Sequence, residues 1–268
     1  MTSKHEPRLG EHLDVSKMPI YMLLARLGKQ TLRPGGMELT RQMLELLDVQ
    51  SSDEVVEFAP GVGATARLIL SRAPAQYTAI DRDEASVRQV SRYLKGPNQQ
   101  CVIGRSEHTD LPDTSTTVVL GEAMLTMQTA SHKEQIITEA ARILKPGGRY
   151  GIHEVCLKPD NLDDATKNEI EKALSEVSRV GTRPLTQSEW CALLEGAKFQ
   201  IRDTVIAPFH LLEPPRVLRD EGLLGTLRLL VNVLRDGAAR QRVIAMRSVI
   251  RRYQDRLGAI AFVAVKPE

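Results

Sequence analysis

Apolar positions in this chain follow two spacings in turn. Short, dense apolar runs at 54–58, 77–81, 100–103, 117–120 and 150–155 read as buried strands, while 39–47, 64–72, 84–94 and 132–144 repeat their apolar residues at helical spacing. Further runs at 199–207 and 258–266 read as two more strands. Strands alternating with helices across short glycine turns predict an α/β fold, a doubly wound, mostly parallel sheet with helices on both faces. Ahead of it, Ile20, Leu23, Leu24 and Leu27 mark a helix that Arg33-Pro34-Gly35-Gly36 ends, after a polar lead over about 1–14. Thr186 and Glu189 form a capping box for a helix carrying Trp190, which reads as core filling.

Two stretches exceed what the alternation needs. One, at about 159–183, is rich in acids and lysines around Ile170, Ala173, Leu174 and Val177 and reads as a lid helix. The other, at about 208–257, holds two helices. Leu223, Leu224, Leu227, Leu230, Val231 and Leu234 mark the first and Val243, Met246, Val249, Ile250 and Tyr253 the second, with a turn at Asp236-Gly237. Many arginines stud them; a solvated face with pairs such as Arg251–Asp255 is the favoured reading over a surface for an anionic substrate. Either way this insertion forms a helical cap or the surface of a homodimer. The expected organisation is an N-terminal cap segment at 1–38 and one ligand-binding domain at 39–268 bearing both insertions.

Composition narrows the function classes. In 268 residues a net charge of +2 does not by itself call for a nucleic-acid or membrane partner, and 4% aromatics leaves little to stack on bases. No apolar run approaches the roughly 18 residues that span a bilayer. The first residues are polar and lack the apolar core of a signal peptide. Cys101, Cys156 and Cys191 have neither metal-type nor disulfide-type spacing, which points to reduced thiols and the cytoplasm, with no metal site.

The candidate chemistry lies where the first two strands end. Val55-Val56-Glu57-Phe58 runs into Ala59-Pro60-Gly61-Val62-Gly63, and Tyr77-Thr78-Ala79-Ile80 into Asp81. Small residues after a strand let the backbone approach a ligand, the helix starting near Ala64 offers free N–H groups to an anion, and Asp81 can accept from ribose hydroxyls. Glu57 decides between cofactors. A carboxylate ahead of the glycines would repel the pyrophosphate of NAD but attract the ammonium group of S-adenosylmethionine (SAM).

On these residues the chain resembles the class I SAM-dependent methyltransferases, in the small-molecule branch similar to ubiquinone/menaquinone-biosynthesis C-methyltransferases. The resemblance spans roughly 39–205. Glu57 through Gly63 looks like the family's acid-G-x-G-x-G motif, with Ala59 in place of the first glycine; Asp81 looks like its ribose acid; Leu111-Pro112-Asp113 through Ala123 leads into the fourth strand; Leu144-Lys145-Pro146-Gly147-Gly148 resembles the turn before the fifth. The resemblance implies a seven-stranded sheet whose last strand is antiparallel, beside the fifth and sixth. It implies cofactor contacts at Glu57, Ala59, Gly61, Gly63, Asp81, Arg82, Arg105, Ser106 and Glu122. The family's usual G-D-A reads Gly104-Arg105-Ser106 here; a guanidinium only donates, so adenine recognition passes to Ser106, Glu107 or backbone carbonyls. Tyr21 and the Arg33–Gly36 segment, Gly36 included, are expected to close over the methionine end.

Methyl transfer from a sulfonium is an in-line displacement and needs a base only if the acceptor carries a proton to lose. Candidates at strand ends are His153 and Glu154, with Glu122 in a cofactor-binding or ordering role. Methionines 18, 22, 37, 124 and 127 are expected near the pocket, either as ordinary packing or as an adaptable apolar wall. The expected activity is methyl transfer from SAM to a small, apolar or aromatic metabolite. The alternatives are a non-catalytic SAM-binding or partner-binding protein and, less favoured, an NAD-dependent oxidoreductase.

Overall fold

In the computed structural model, residue 10 and residues 13–268 are described; most of the expected polar lead lies outside them. The first elements are α1 (Ile20–Arg26), α2 (Gly36–Leu47), β1 (Glu54–Phe58), α3 (Ala64–Leu70), β2 (Gln76–Asp81), α4 (Glu84–Ser91) and β3 (Gln99–Ile103). They continue through β4 (Thr116–Glu122), a 3-10 turn at Leu125–Met127, α5 (Ala130–Ile143), β5 (Leu144–Leu157) and α6 (Asp164–Ser178). The last are β6 (Leu185–Thr186), α7 (Gln187–Gly196), β7 (Gln200–Pro208), α8 (Pro214–Arg235), α9 (Gly237–Arg252) and β8 (Leu257–Val265).

The strands form one sheet in the order β3-β2-β1-β4-β5-β8-β7, with the two-residue β6 attached to β5. From β3 to β5 all pairings are parallel, while β8 runs antiparallel to both β5 and β7. The antiparallel closing strand that the resemblance implied is in place.

Both faces of the sheet are covered, which is why its inner strands tolerate so few polar residues. On one face Leu39, Met43, Leu44 and Leu47 of α2 and Ile69 of α3 meet Tyr77, Val118 and Leu120. On the other, Ile136, Ile137 and Ala140 of α5 and Trp190 of α7 meet Phe58, Val119, Ile152 and Phe262. Trp190 is fully buried and its indole N–H donates to the Val155 carbonyl, as a core tryptophan should. A third apolar cluster lies at the carboxyl end of β5, where α1, α6 and α9 meet through Leu23, Leu24, Ile170, Leu174, Met246 and Ile250.

This arrangement fixes where a ligand can bind. After β3 the chain crosses to the other side of β1 to form β4, so the carboxyl ends of β1 and β4 diverge and leave a crevice. The third cluster, with α1 and the segment after it, roofs that crevice.

Candidate active site

The crevice is a cleft of about 370 Å³, in the size range of cofactor pockets. Its floor comes from the turn after β1. Ala59 sits at φ +50 and donates its N–H to the Ile80 carbonyl at 2.8 Å, which turns the chain away from the sheet. Gly61, at φ +56, has open space where a Cβ would stand. Gly63, at φ +76, is required for another reason: a Cβ there would lie 2.7 Å from the Tyr93 ring. Ala59 and Gly61 line the cleft together with Glu57, whereas Gly63 lies behind it against α4.

Three carboxyl groups define the polar end. Glu57 is buried and accepts from the Tyr77 hydroxyl; burial, only partly offset by that bond, pushes its carboxyl up to about 8. Asp81 accepts the backbone N–H of Gly61 at 3.2 Å and of Asp83 at 2.9 Å, and burial raises it too. Each of its oxygens keeps a lone pair for a hydroxyl. Glu122 behaves oppositely. Burial would raise it, but the Arg33 guanidinium, the His153 ring and the Thr40 hydroxyl outweigh that and hold it at about 2.

Arg33 is the group that the motifs did not single out as a ligand. It is 8% exposed and lines the cleft; its Nη1 donates to Glu122 and to the Thr65 hydroxyl, while its Nε and Nη2 are buried without a partner. A buried donor without a partner is costly, so these two N–H vectors mark a place for an anionic ligand group. The signal in the sequence was an arginine fixed by the Pro-Gly-Gly that follows it.

The strap carrying Arg33, residues 28–36, is fastened on both sides. Glu221 on α8 accepts the backbone N–H groups of Gln30 and Thr31 at 2.9 Å and pairs with the fully buried Lys29 at 3.3 Å. Asp220 accepts from the Met37 N–H. Opposite, Gly35 donates to His153 Nε2 at 3.0 Å. Gly35 and Gly36 let the chain pass: a Cβ on Gly35 would come 2.9 Å from His153, and one on Gly36 2.6 Å from Asp220.

The remaining candidates separate by position. His153 is fully buried with both nitrogens engaged: Nε2 accepts from Gly35, so Nδ1 carries the proton and donates to Glu122 at 2.8 Å. Glu154 is fully buried as well, and its two oxygens accept the N–H groups of Met124, Leu125 and Thr126 and the Thr126 hydroxyl. Neither lines the cleft. Ser106 does, and so does the backbone around Arg82, whose guanidinium turns outward to Glu107, as does that of Arg105. Gly36 stands at the strap's far end against Asp220 rather than in the cleft. Tyr21 lines it, and burial, with Asp81 and Asp83 nearby, pushes its hydroxyl up to about 12. Met22, Met124 and Met127 line the cleft, while Met18 is core.

An acid-and-glycine turn after β1, an acid after β2 and a closing antiparallel strand define a Rossmann-like methyltransferase. Residues 55–148 match the family described as a methyltransferase domain. A protein of Haemophilus influenzae, itself uncharacterised, is 31% identical over 216 residues, covering 79% of this chain and 84% of that one. Among solved structures, the [4+2]-cyclase SpnF superposes with a TM-score of 0.70 at 18% identity over 97% of both chains. Phosphoethanolamine N-methyltransferase 2 of Haemonchus contortus, in complex with phosphomonomethylethanolamine and S-adenosylhomocysteine, gives 0.68 at 16% identity over 92% of this chain and 57% of that one. At such identities these two likenesses concern the fold. The chain belongs to the class I SAM-dependent methyltransferases, and SAM is its cofactor. That membership sets aside the oxidoreductase reading.

Proposed function

We propose that this methyltransferase acts on a small, largely apolar acceptor. The observation that carries the reading is an annex of about 90 Å³ that shares Tyr21, Leu32, Ala123 and Met127 with the cofactor cleft. Ile20, Leu24, Pro34, Val155, Phe209 and Met246 wall it, and no charged side chain lines it. A charged acceptor would be desolvated there without compensation.

SAM supplies a methyl group on a sulfonium whose thioether leaves without needing a proton. The unpartnered Nε and Nη2 of Arg33 suit its carboxylate, Glu57 its ammonium group, Asp81 its ribose hydroxyls, and Ser106 with neighbouring backbone its adenine. His153 and Glu154 are reassigned from base to positioning roles: one holds the strap, the other the Met124–Thr126 turn. Tyr21, shared by both cavities, offers a hydroxyl to orient the acceptor. Alignment and exclusion of water are then the main contribution, an effect worth about 7–11 kcal/mol when geometry is right. Cys101, Cys156 and Cys191 are all free thiols, which supports placement in the reducing cytoplasm.

The test is methyl transfer from labelled SAM to matched acceptor panels. Apolar acceptors should turn over and zwitterionic ones should not; the reverse order refutes the reading. Alongside, Arg33→Met should weaken SAM binding about 10- to 100-fold by calorimetry, the equivalent of one charge-assisted hydrogen-bond set. An unchanged dissociation constant removes the carboxylate role.

A further inference from the structure

Helix α8 is two helices joined at Gly222, whose φ of 68° and ψ of 176° are not helical. The first part carries Asp220 and Glu221 and holds the strap. The second part turns its leucines the wrong way for a core. Leu223, Leu224, Leu227, Leu230 and Leu234 are 53–83% exposed, and Leu229 is the leucine of this part that packs inward. Spacings of four, three and four residues put 223, 227, 230 and 234 on one stripe, with Leu224 beside it. A continuous apolar surface of this kind marks a contact site.

Charge identifies what it contacts. Five of the insertion's other arginines are paired with carboxylates, Arg216 and Arg219 with Glu38, Arg247 and Arg251 with Glu213, Arg252 with Glu169, and Arg242 donates to backbone carbonyls. On the flank of the same half-helix and at the start of α9, Arg228, Arg235 and Arg240 are exposed and have no carboxylate partner among the described residues. Residues 223–235 include no acid, and Asp236 is spent capping α9. A second copy laid on this face would bring arginine against arginine with no acid to answer it. An anionic bilayer meets both features at once, burying leucines at the acyl boundary and pairing arginines with headgroups. No helix among the described residues is long and apolar enough to cross a membrane, so such a contact lies in the plane of the interface. The same insertion supplies Phe209, Leu211 and Met246 to the apolar annex.

We propose that the part of α8 beyond Gly222 is a docking surface for an anionic lipid bilayer. The inference stands apart from the acceptor's identity, because it concerns a different face. It is tested by sedimentation of the full chain with vesicles of phosphatidylcholine alone and with about 30% phosphatidylglycerol, alongside light scattering for oligomeric state. The wild type should bind the anionic vesicles at least tenfold more tightly. The triple variant Leu223→Ser/Leu227→Ser/Leu230→Ser should lose that binding while keeping its circular dichroism and SAM affinity. Arg228→Gln with Arg235→Gln should weaken it roughly 5-fold per arginine and leave the leucines' contribution intact. Failure to bind either vesicle overturns the proposal, as does binding that the triple variant retains. A wild-type dimer that the leucine substitutions dissociate, without vesicle binding, assigns the face to self-association instead.

Discussion

At the scale of single residues the cleft separates two carboxyl groups by environment. Glu122 is ionised because Arg33 and His153 overcome its burial, whereas Glu57 has only a tyrosine hydroxyl and sits at about 8. At neutral pH the free protein therefore holds a proton on Glu57. A ligand that brings an ammonium group favours the carboxylate, so binding releases that proton. The sign follows: below pH 8 SAM affinity rises with pH, approaching tenfold per unit, and it turns over as an α-amino group of pKa about 7.7–8.0 loses its charge. Calorimetry in buffers of different ionisation enthalpy should record the proton leaving. Glu57→Gln should flatten the rise; a pH-independent wild type would refute the pairing. The sequence revealed that Glu57 ends a strand ahead of a glycine turn, but not its protonation, because Tyr77 reaches it from a neighbouring strand.

At the scale of elements, the strap shows why local pattern stops short. The Arg33–Gly36 stretch reads from sequence as a helix breaker expected to close over the methionine end; its fastening to Asp220 and Glu221, some 190 residues away, is not written in the local pattern. The leucines of α8 were legible as a helix but not as an exposed face, since periodicity says which residues share a side and not which side is covered. Lys29 gives the latch a measurable weight. It is fully buried against Glu221, and removing one member strands the other without water. Glu221→Ala should cost about 3–5 kcal/mol in urea unfolding, and adding Lys29→Met should recover much of that loss. Full additivity of the two would show that they do not act as a pair.

At the scale of the molecule, the sheet was readable almost throughout, because strands buried on both faces leave dense apolar runs and the crossovers between them are helical. Where the roof sits was not, since α1, α6 and α9 are joined by contacts between residues far apart in the chain, such as Leu24, Leu174 and Met246. The placing of His153 and Glu154 was hidden for a related reason: a strand end can point its side chain into the crevice or beneath the loops that rim it, and both lie beneath. The two-sided fastening of the strap bears on tempo as well. Lifting it off the cleft requires its links to α8 and to β5 to yield together, the kind of opening that sets the pace of turnover in many enzymes. Rapid mixing should then yield one methylated product per chain in a fast first phase, followed by a slower steady state that Glu221→Ala quickens.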